Sequence, residues 1–214
     1  MTLKAVFVDM DNTLLVGRTV LAIARETGLG EERMRAELAS RGREDRCRFV
    51  ASLLRGWPVA RVAACATGFP FDPGARAFVE LLSPRLALYV VSDSFSQAVR
   101  AVSQALSIPR WIANPLEERG GACTGRVLDW RAESGVEAQS PVVHKREALL
   151  SVARTLGLRP EQFAVVGDGV PDAEAMEVAG LGVAIRPMDG VAERADLIVS
   201  DLEEAARAIL KSAS

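Results

Sequence analysis

Two aspartates, one residue apart, follow a short apolar run near the start of the chain. The run is Ala5 to Val8, and Asp9 and Asp11 come directly after it. Because every position of the run is apolar, it is typical of a strand buried on both faces of a parallel sheet. Ligands of open α/β sheets bind at the carboxyl ends of the strands, and two carboxylates at this spacing can together hold a hard cation such as Mg²⁺. The pattern therefore predicts chemistry here, although an ordinary Asp-Asn turn after a strand has the same sequence.

Two later segments also place polar side chains at the end of a strand or the start of a helix. Ser92 and Asp93 follow a second apolar run, where a hydroxyl and the amides of a turn can bind an anion such as phosphate. The alternative is that they only cap the next helix. Lys145 stands at a predicted helix start, where a cation is unfavourable for the helix dipole unless an anion lies beside it. A solvated lysine is the simpler interpretation of that segment alone.

A third segment contains two acids after another apolar run. Asp168 and Asp172 lie four residues apart on a glycine-containing turn. Acids at the end of a buried parallel strand indicate a ligand site more often than a stabilising feature. The alternative is an acidic turn in which Pro171 begins the next helix.

The elements that must position these residues change in type along the chain. From about residue 18 to residue 68 the pattern is helical, with Gly or Pro between successive helices. Strand and helix patterns alternate in the rest. We therefore expect an α/β fold, a doubly wound Rossmann-like parallel sheet with right-handed crossovers, and a small helical bundle inserted after the first strand. The later predicted strands are 86–92, 163–168, 181–185 and 195–199, with a strand and its exit turn at 111–117 and one arm of a short hairpin at 123–130.

Composition narrows the class of protein. Of the 214 residues 49% are apolar and the formal net charge is −2, which is typical of a folded chain. There is no basic block to indicate nucleic acid, and the charge balance does not indicate a membrane surface. The three cysteines form no close metal-binding pair, which favours reduced thiols. We expect a cytoplasmic protein that binds neither nucleic acid nor membrane; the sequence does not indicate whether it is a monomer or a homodimer.

In combination, the polar segments resemble the signature of the haloacid dehalogenase superfamily of aspartyl-phosphate hydrolases. Its D-x-D-x-T motif, strand-ending Ser or Thr, Lys and paired-acid loop occur here in that order. Within the superfamily the chain is most similar to the phosphoserine phosphatases, over nearly its whole length but more weakly in the helical insertion. The closer similarity is carried by segments 48–55, 113–117, 124–127, 167–169, 179–184 and 195–198.

The resemblance implies a phosphatase acting on a small phosphorylated metabolite, with Mg²⁺ as cofactor. Asp9 would be the nucleophile that forms an aspartyl-phosphate. Asp11 would be the general acid and base, and Thr13 would fix that acid and its loop. Mg²⁺ would be held by Asp9, the backbone carbonyl of Asp11 and Asp168, with Asp172 in support. Phosphate would be bound by residues of the two later segments, Ser92, Asp93 and Lys145.

The resemblance also implies two domains. Residues 1–15 and 72–214 would form the catalytic α/β core, and residues 16–71 a helical cap that closes over the site and contacts the leaving group.

Substrate-reading positions differ from the phosphoserine phosphatase pattern. The acidic residue that would meet the substrate ammonium is replaced by Arg18, and the arginine for the substrate carboxylate aligns near Val50, one helical turn after Arg46. Pro171 replaces an asparagine in the paired-acid loop. We therefore expect altered leaving-group specificity, with Arg18 or Arg46 meeting a second anionic group.

Two other functions are compatible with the same residues. A phosphotransferase would move the phosphoryl group from Asp9 to a small alcohol such as homoserine. A non-catalytic phospho-receiver or binding module has the same type of sheet and a site with Asp and Lys. Receivers, however, are shorter, have no cap, and have no counterpart of Asp11 as an acid two residues after the nucleophile.

Overall fold

Strands and helices alternate along most of the chain in the computed structural model, which describes residues 2–135 and 137–213. The strands are β1 (Ala5–Val8), β2 (Ala87–Phe95), β3 (Arg110–Asn114), β4 (Leu116–Arg119), β5 (Ala122–Val127), β6 (Phe163–Gly167), β7 (Leu181–Ile185) and β8 (Leu197–Val199). The α-helices are α1 (Thr19–Glu26), α2 (Glu31–Ala39), α3 (Arg43–Leu53), α4 (Val59–Thr67), α5 (Ala75–Leu82), α6 (Ser96–Ala105), α7 (Trp130–Ser134), α8 (Lys145–Thr155), α9 (Val170–Met176) and α10 (Leu202–Ala213).

A six-stranded parallel sheet forms the centre of the molecule, in the order β3-β2-β1-β6-β7-β8. Strand β1 lies between β2 and β6, and Val8 is in register with Val90 and Val166. All four residues of β1 are buried, as expected of an interior parallel strand. The predicted α/β fold is confirmed.

Successive side chains of β1 enter different hydrophobic clusters on the two faces of the sheet. Val6 and Val8 pack in one cluster with Phe78 of α5, and Phe7 packs in the other with Leu149 of α8. This alternation follows from strand geometry. Because helices cover both faces, the strands need apolar residues at every position.

The helices α1 to α4 enclose a third hydrophobic cluster, which includes Met34, Val50 and Leu54. An antiparallel hairpin of β4 and β5 completes it with Leu116 and Cys123. The hairpin is bonded to the helical segment through the backbone: Gly56 N–H donates to the Cys123 carbonyl, and Cys123 N–H to the Trp57 carbonyl, both at 2.8 Å. The helical bundle thus includes a piece of chain from well outside residues 16–71.

Three predicted boundaries are wrong. The exit turn predicted within 111–117 is in part a strand of its own, since β3 ends at Asn114 and β4 begins at Leu116 in a different sheet. The predicted hairpin arm 123–130 ends at Val127, and Trp130 begins α7. Strand β2 continues past Ser92 to Phe95, through an irregularity in its pairing with β3. Among the described residues, no helix has the length and hydropathy needed to span a membrane.

Candidate active site

The register of the sheet brings three predicted site residues to one edge. Because β1 is paired in register with β2 and β6, Asp9, Ser92 and Asp168 lie one or two residues beyond a common line across the strands. All three are buried. The carboxyl end of the sheet therefore carries the first polar residues of the candidate site.

Three aspartates at this edge form what we call the acid cluster: Asp9, Asp168 and Asp172. One carboxylate oxygen of each lies within 4.8 Å of the others. Lys145, the first residue of α8, enters the cluster. Its Nζ is 2.6 Å from Asp9 Oδ1 and 2.8 Å from Asp172 Oδ1. Gly167 makes room for this arrangement, since a Cβ there would lie 2.1 Å from Asp172 Cγ.

The electrostatics of the cluster follow from its burial. Burial raises the pKa of Asp9 well above its ordinary value; Asp172 raises it further and Lys145 opposes the shift. Burial likewise raises the pKa of Asp172, against the lowering effect of Lys145. For Lys145, burial alone would lower the pKa, but Asp172 and Asp9 raise it above its ordinary value. The Lys145 ammonium is therefore charged. Its charge alone does not offset the cost of burying the carboxylates of Asp9 and Asp172, whose pKa values stay raised.

The acid cluster has the donor set of a hard divalent cation. Its ligand atoms are carboxylate oxygens, which Mg²⁺ prefers. The three carboxylates are accompanied by two cationic groups, Lys145 and Arg18, so the fully ionised group carries one net negative charge. A divalent cation would change that sign, which explains why the residues present fit a metal.

Asp11 is held by the start of the helical insertion. Its Oδ1 accepts hydrogen bonds from the backbone N–H of Thr19 at 3.1 Å and from Thr19 Oγ1 at 2.7 Å. Burial raises the pKa of Asp11 to about 6, although the bonds from Thr19 lower it. Thr13 is buried, but its hydroxyl has no hydrogen-bond partner in the part of the chain that the structure describes. Thr19, which the sequence analysis missed, holds the acid that Thr13 is expected to fix.

The residues predicted to bind phosphate differ in their exposure. Ser92 and Lys145 are buried, whereas Asp93 is exposed. The Ser92 hydroxyl accepts a hydrogen bond from the Ser94 N–H at 3.1 Å, so it lies within the turn at the end of the strand. The Asp93 carbonyl accepts a hydrogen bond from Asn114 Nδ2 at 2.6 Å. The Asp93 carboxylate adds to the effect of Asp172 and Asp9 in raising the pKa of Lys145.

Asn114 was also missed, although it connects two parts of the site. It is buried, and its Oδ1 accepts from the Val143 N–H at 2.8 Å. Together with its bond to Asp93, this ties the irregular end of β2 to the segment that leads into Lys145. Two sequence signals mark the position: it stands just before Pro115, where the predicted strand meets its exit turn, and it belongs to segment 113–117, which carries part of the family resemblance.

Arg186 is a third missed residue. Its Nη2 donates to the backbone carbonyl of Asn12 at 2.9 Å, between Asp11 and Thr13 in the chain, and its Nη1 lies 2.6 Å from Oδ2 of buried Asp72. Its backbone is left-handed, with φ of 44°. Nη1 also donates to the Ser200 carbonyl at 3.2 Å. No motif marks this arginine, because Asp72 and Asn12 lie more than a hundred residues away in the chain.

The structure separates the two arginines proposed to contact the leaving group. Arg18 borders the acid cluster, with Nη2 3.3 Å from Asp168 Oδ2. Arg46 is exposed, and its Nε donates to the Arg41 carbonyl at 2.8 Å. Val50 is buried in the hydrophobic cluster of the helical bundle.

Pro171 occupies the second position of α9, one residue later than the acidic-turn alternative places it. It fits there because the N–H groups of the first turn have no partner within the helix.

Comparison of the chain with family models and with curated proteins places it in one family. The family model described as haloacid dehalogenase-like hydrolase matches residues 6–177. The curated phosphoserine phosphatase of Methanocaldococcus jannaschii is 30% identical over 94% of this chain and 95% of its own length. Those of Archaeoglobus fulgidus and Mycobacterium tuberculosis are 29% and 30% identical, and the chain spans only 56% and 48% of their lengths.

Solved structures agree with the sequence matches. A phosphoserine phosphatase described as a phospho-aspartyl intermediate analogue superposes with a TM-score of 0.77 at 28% identity, covering all of both chains. A substrate-bound phosphoserine phosphatase gives a TM-score of 0.78 at 27% identity with the same coverage. The similarity extends through the sheet, the helical bundle and the hairpin.

Proposed function

The chain belongs to the haloacid dehalogenase-like hydrolase family, and from this premise we propose that it is a Mg²⁺-dependent phosphatase that hydrolyses a small phosphomonoester through an aspartyl-phosphate on Asp9. The family and the names of its relatives indicate a phosphatase. One observation carries the proposal: Lys145 Nζ lies 2.6 Å from Asp9 within the acid cluster. A carboxylate nucleophile, a cation for the phosphoryl oxygens and an oxygen-donor metal site therefore lie together.

Mg²⁺ would be bound by Asp9, the backbone carbonyl of Asp11 and Asp168, with Asp172 in support, and it would neutralise charge on the phosphoryl oxygens. Without it, a phosphate dianion would meet one net negative charge from three carboxylates and two cations. Lys145 would hold one phosphoryl oxygen, because its ammonium stays charged between Asp9 and Asp172. The Ser92 hydroxyl would donate to another.

The reaction would then proceed in two displacements. In the first, an Asp9 oxygen bonds to phosphorus, the bond from phosphorus to the ester oxygen breaks, and the leaving alkoxide takes the proton of Asp11. In the second, Asp11 accepts a proton from water, the hydroxide oxygen bonds to phosphorus, and the bond to Asp9 breaks to release phosphate. The pKa of Asp11, raised by burial to about 6, suits a group that must both give and take a proton near neutral pH.

The helical bundle would be the cap, with boundaries at residues 16–71 and the hairpin of β4 and β5 attached to it. Its separate hydrophobic cluster supports the division of the chain into a core and a cap. Thr19, at the start of the bundle, holds Asp11. Cap position and placement of the acid would thus be linked.

The substrate would differ from phosphoserine in its leaving group. Phosphoserine is the substrate in the relatives' names, but Arg18 lies at the edge of the acid cluster. A guanidinium there repels the ammonium of phosphoserine, and the repulsion grows as the site excludes water.

The test is phosphate release from a panel of small phosphomonoesters, phosphoserine among them, with Mg²⁺ and with EDTA. We expect turnover that requires Mg²⁺, is abolished in Asp9→Asn and is unchanged in Asp45→Asn, a matched substitution at an exposed position. Transfer to added homoserine without hydrolysis would instead make the protein a phosphotransferase. Retention of the phosphoryl group on Asp9 after reaction with a small donor would make it a receiver.

The rank of phosphoserine in that panel tests the specificity argument separately. We expect Arg18→Glu to raise the rate of phosphoserine hydrolysis relative to the rates for the other esters. An unchanged ranking would show that Arg18 does not select the leaving group.

A further inference from the structure

A cleft of about 460 Å³ lies between the helical bundle and the core. Its lining includes Asn12 and Arg18 at one end and residues of α1 and α2 at the other. Both Asn12 Nδ2 and Arg18 Nη2 are 3.3 Å from Asp168 Oδ2, so this cleft opens directly beside the acid cluster. A leaving group bound with its phosphate at Asp9 would extend past Arg18 into this space.

The cleft is larger than a three-carbon alcohol requires. At about 30 Å³ for each water-sized group, it holds roughly fifteen such groups. Its volume falls within the range of sites that enclose small organic ligands, about 300 to 1,000 Å³.

Cationic side chains predominate in the cleft. Arg18, Arg25 and Arg35 line it together with one acid, Glu31. Arg25 Nη1 is 2.8 Å from Glu31 Oε1, and Arg35 Nη2 is 3.5 Å from Glu31 Oε2. A single carboxylate therefore faces two guanidinium groups at the outer end, and most of the donors of Arg35 are available to a ligand. Guanidinium groups bind carboxylate and phosphate through paired hydrogen bonds.

Apolar side chains lie between the two charged ends. Leu21, Phe69 and Met188 line the same cleft, and the Arg25 guanidinium is 5.7 Å from the centre of the Phe69 ring. Arg25 is seven residues after Arg18, which corresponds to about 10 Å along a helix. The lining thus has one cation beside the acid cluster, an apolar middle and an anion-binding outer end.

We infer that this cleft is the leaving-group site, and that it takes a phosphomonoester whose alcohol carries a second anionic group, carboxylate or phosphate, at its far end, where Arg25 and Arg35 bind it. The inference rests on the proposed function. Arg25 and Arg35 add a contact remote from Arg18, so the length of the substrate as well as its charge is selected.

The test uses phosphonates, which bind without being hydrolysed. Calorimetry in the presence of Mg²⁺ would compare octane-1,8-bisphosphonate, ω-carboxyoctylphosphonate and octylphosphonate, with ethane-1,2-bisphosphonate as the short probe. We expect the long bis-anions to bind about tenfold more tightly than octylphosphonate, as one charge-assisted contact provides. The carboxylate and phosphonate ends distinguish the two kinds of second anion.

Variants locate the contact. Arg35→Gln and Arg25→Gln should each remove part of that tenfold gain of the long bis-anion, and the double variant all of it, while the affinity for octylphosphonate stays unchanged. Arg33→Gln is the matched control. Arg33 is an exposed arginine of α2, as Arg35 is, but it does not line the cleft. Both Arg25 and Arg35 are more than half exposed, so these variants should keep the melting temperature of the parent.

Equal binding of bis-anions and octylphosphonate would overturn the inference, as would an effect of Arg33→Gln equal to that of Arg35→Gln. These results differ from a failure of the proposed function, in which no phosphomonoester is hydrolysed at all. Binding of the phosphonates is measured whether or not turnover occurs.

Discussion

Replacement of Arg186 by glutamine should destabilise the protein through buried Asp72. The Asp72 side chain is 1% exposed and the Arg186 side chain 40%. Loss of one partner from a fully buried ion pair costs about 3–5 kcal/mol, and from a surface pair about 0–1 kcal/mol. Asp72 Oδ1 still accepts from the N–H groups of Gly74 and Leu202, which limits the loss. We therefore expect Arg186→Gln to lower the free energy of unfolding by about 2 kcal/mol.

A double-mutant cycle measures the pair itself. Arg186→Gln, Asp72→Asn and the double variant would be unfolded with urea under circular dichroism, and we expect a coupling free energy of about 2 kcal/mol. The single Arg186→Gln variant should melt about 4–8 °C lower. The exposed pair of Arg207 and Glu203 on α10 is the control, with an expected coupling of about 0.3–0.5 kcal/mol.

A coupling no larger than that of the control pair would refute the reasoning, since burial of Asp72 would then have no energetic effect. The same variant tests the second contact of Arg186. Because Nη2 holds the Asn12 carbonyl next to Asp11, Arg186→Gln should also lower kcat at temperatures where the protein is fully folded.

Three further predictions concern the site and the thiols. Lys145→Met should abolish turnover, measured as phosphate release, and weaken the binding of inorganic phosphate, measured by calorimetry, while Mg²⁺ added in the same calorimeter still binds to the three carboxylates that remain. Gly167→Ala should remove the rise in melting temperature that Mg²⁺ produces, since its Cβ would lie 2.1 Å from Asp172 Cγ; Gly42→Ala, where a Cβ meets nothing within 4 Å, should not. Burial raises the pKa of Cys47 to about 12 and raises those of Cys65 and Cys123, so at pH 8 the thiolate fraction is small. Iodoacetamide should therefore alkylate all three slowly in the native protein and rapidly in urea, as counted by mass spectrometry; rapid alkylation of native Cys47 would contradict its burial.

The sequence predicted those parts of the site that are encoded locally. Asp9 and Asp168 each follow an apolar strand, so the pattern of a few neighbouring residues places them at the sheet edge. The fold class followed from the same strands. Asn114 and Arg186 could not be found in this way, because ordinary polar residues acquire their roles only when distant segments meet, as in the bond from Arg186 to Asp72 across 114 positions. Thr19 lies only eight positions after Asp11, but no motif marks it, and its role depends on how the chain turns into α1.

Helical spacing was a poor guide to Arg46. Positions four apart share a helix face, and Val50 of the same helix is buried in the bundle. The arginine lies in the first turn of α3, and its long side chain folds back to the Arg41 carbonyl. Helical spacing determines the direction of the Cα–Cβ bond. The position of an arginine guanidinium depends instead on the hydrogen-bond partners that the long side chain can reach.

The hairpin of β4 and β5 makes the helical bundle a composite of two distant chain segments. Deletion of residues 16–71 would uncover Leu116 and Cys123, which are 3% and 2% exposed in the intact chain, and would leave the Cys123 backbone without its partners at Gly56 and Trp57. Ancestors or engineered versions without the bundle would thus need a different hairpin. A change of sequence on the inward face of either the inserted helices or this short β-ribbon must therefore be accommodated by the other, although the 44 residues 72–115 separate them in the chain.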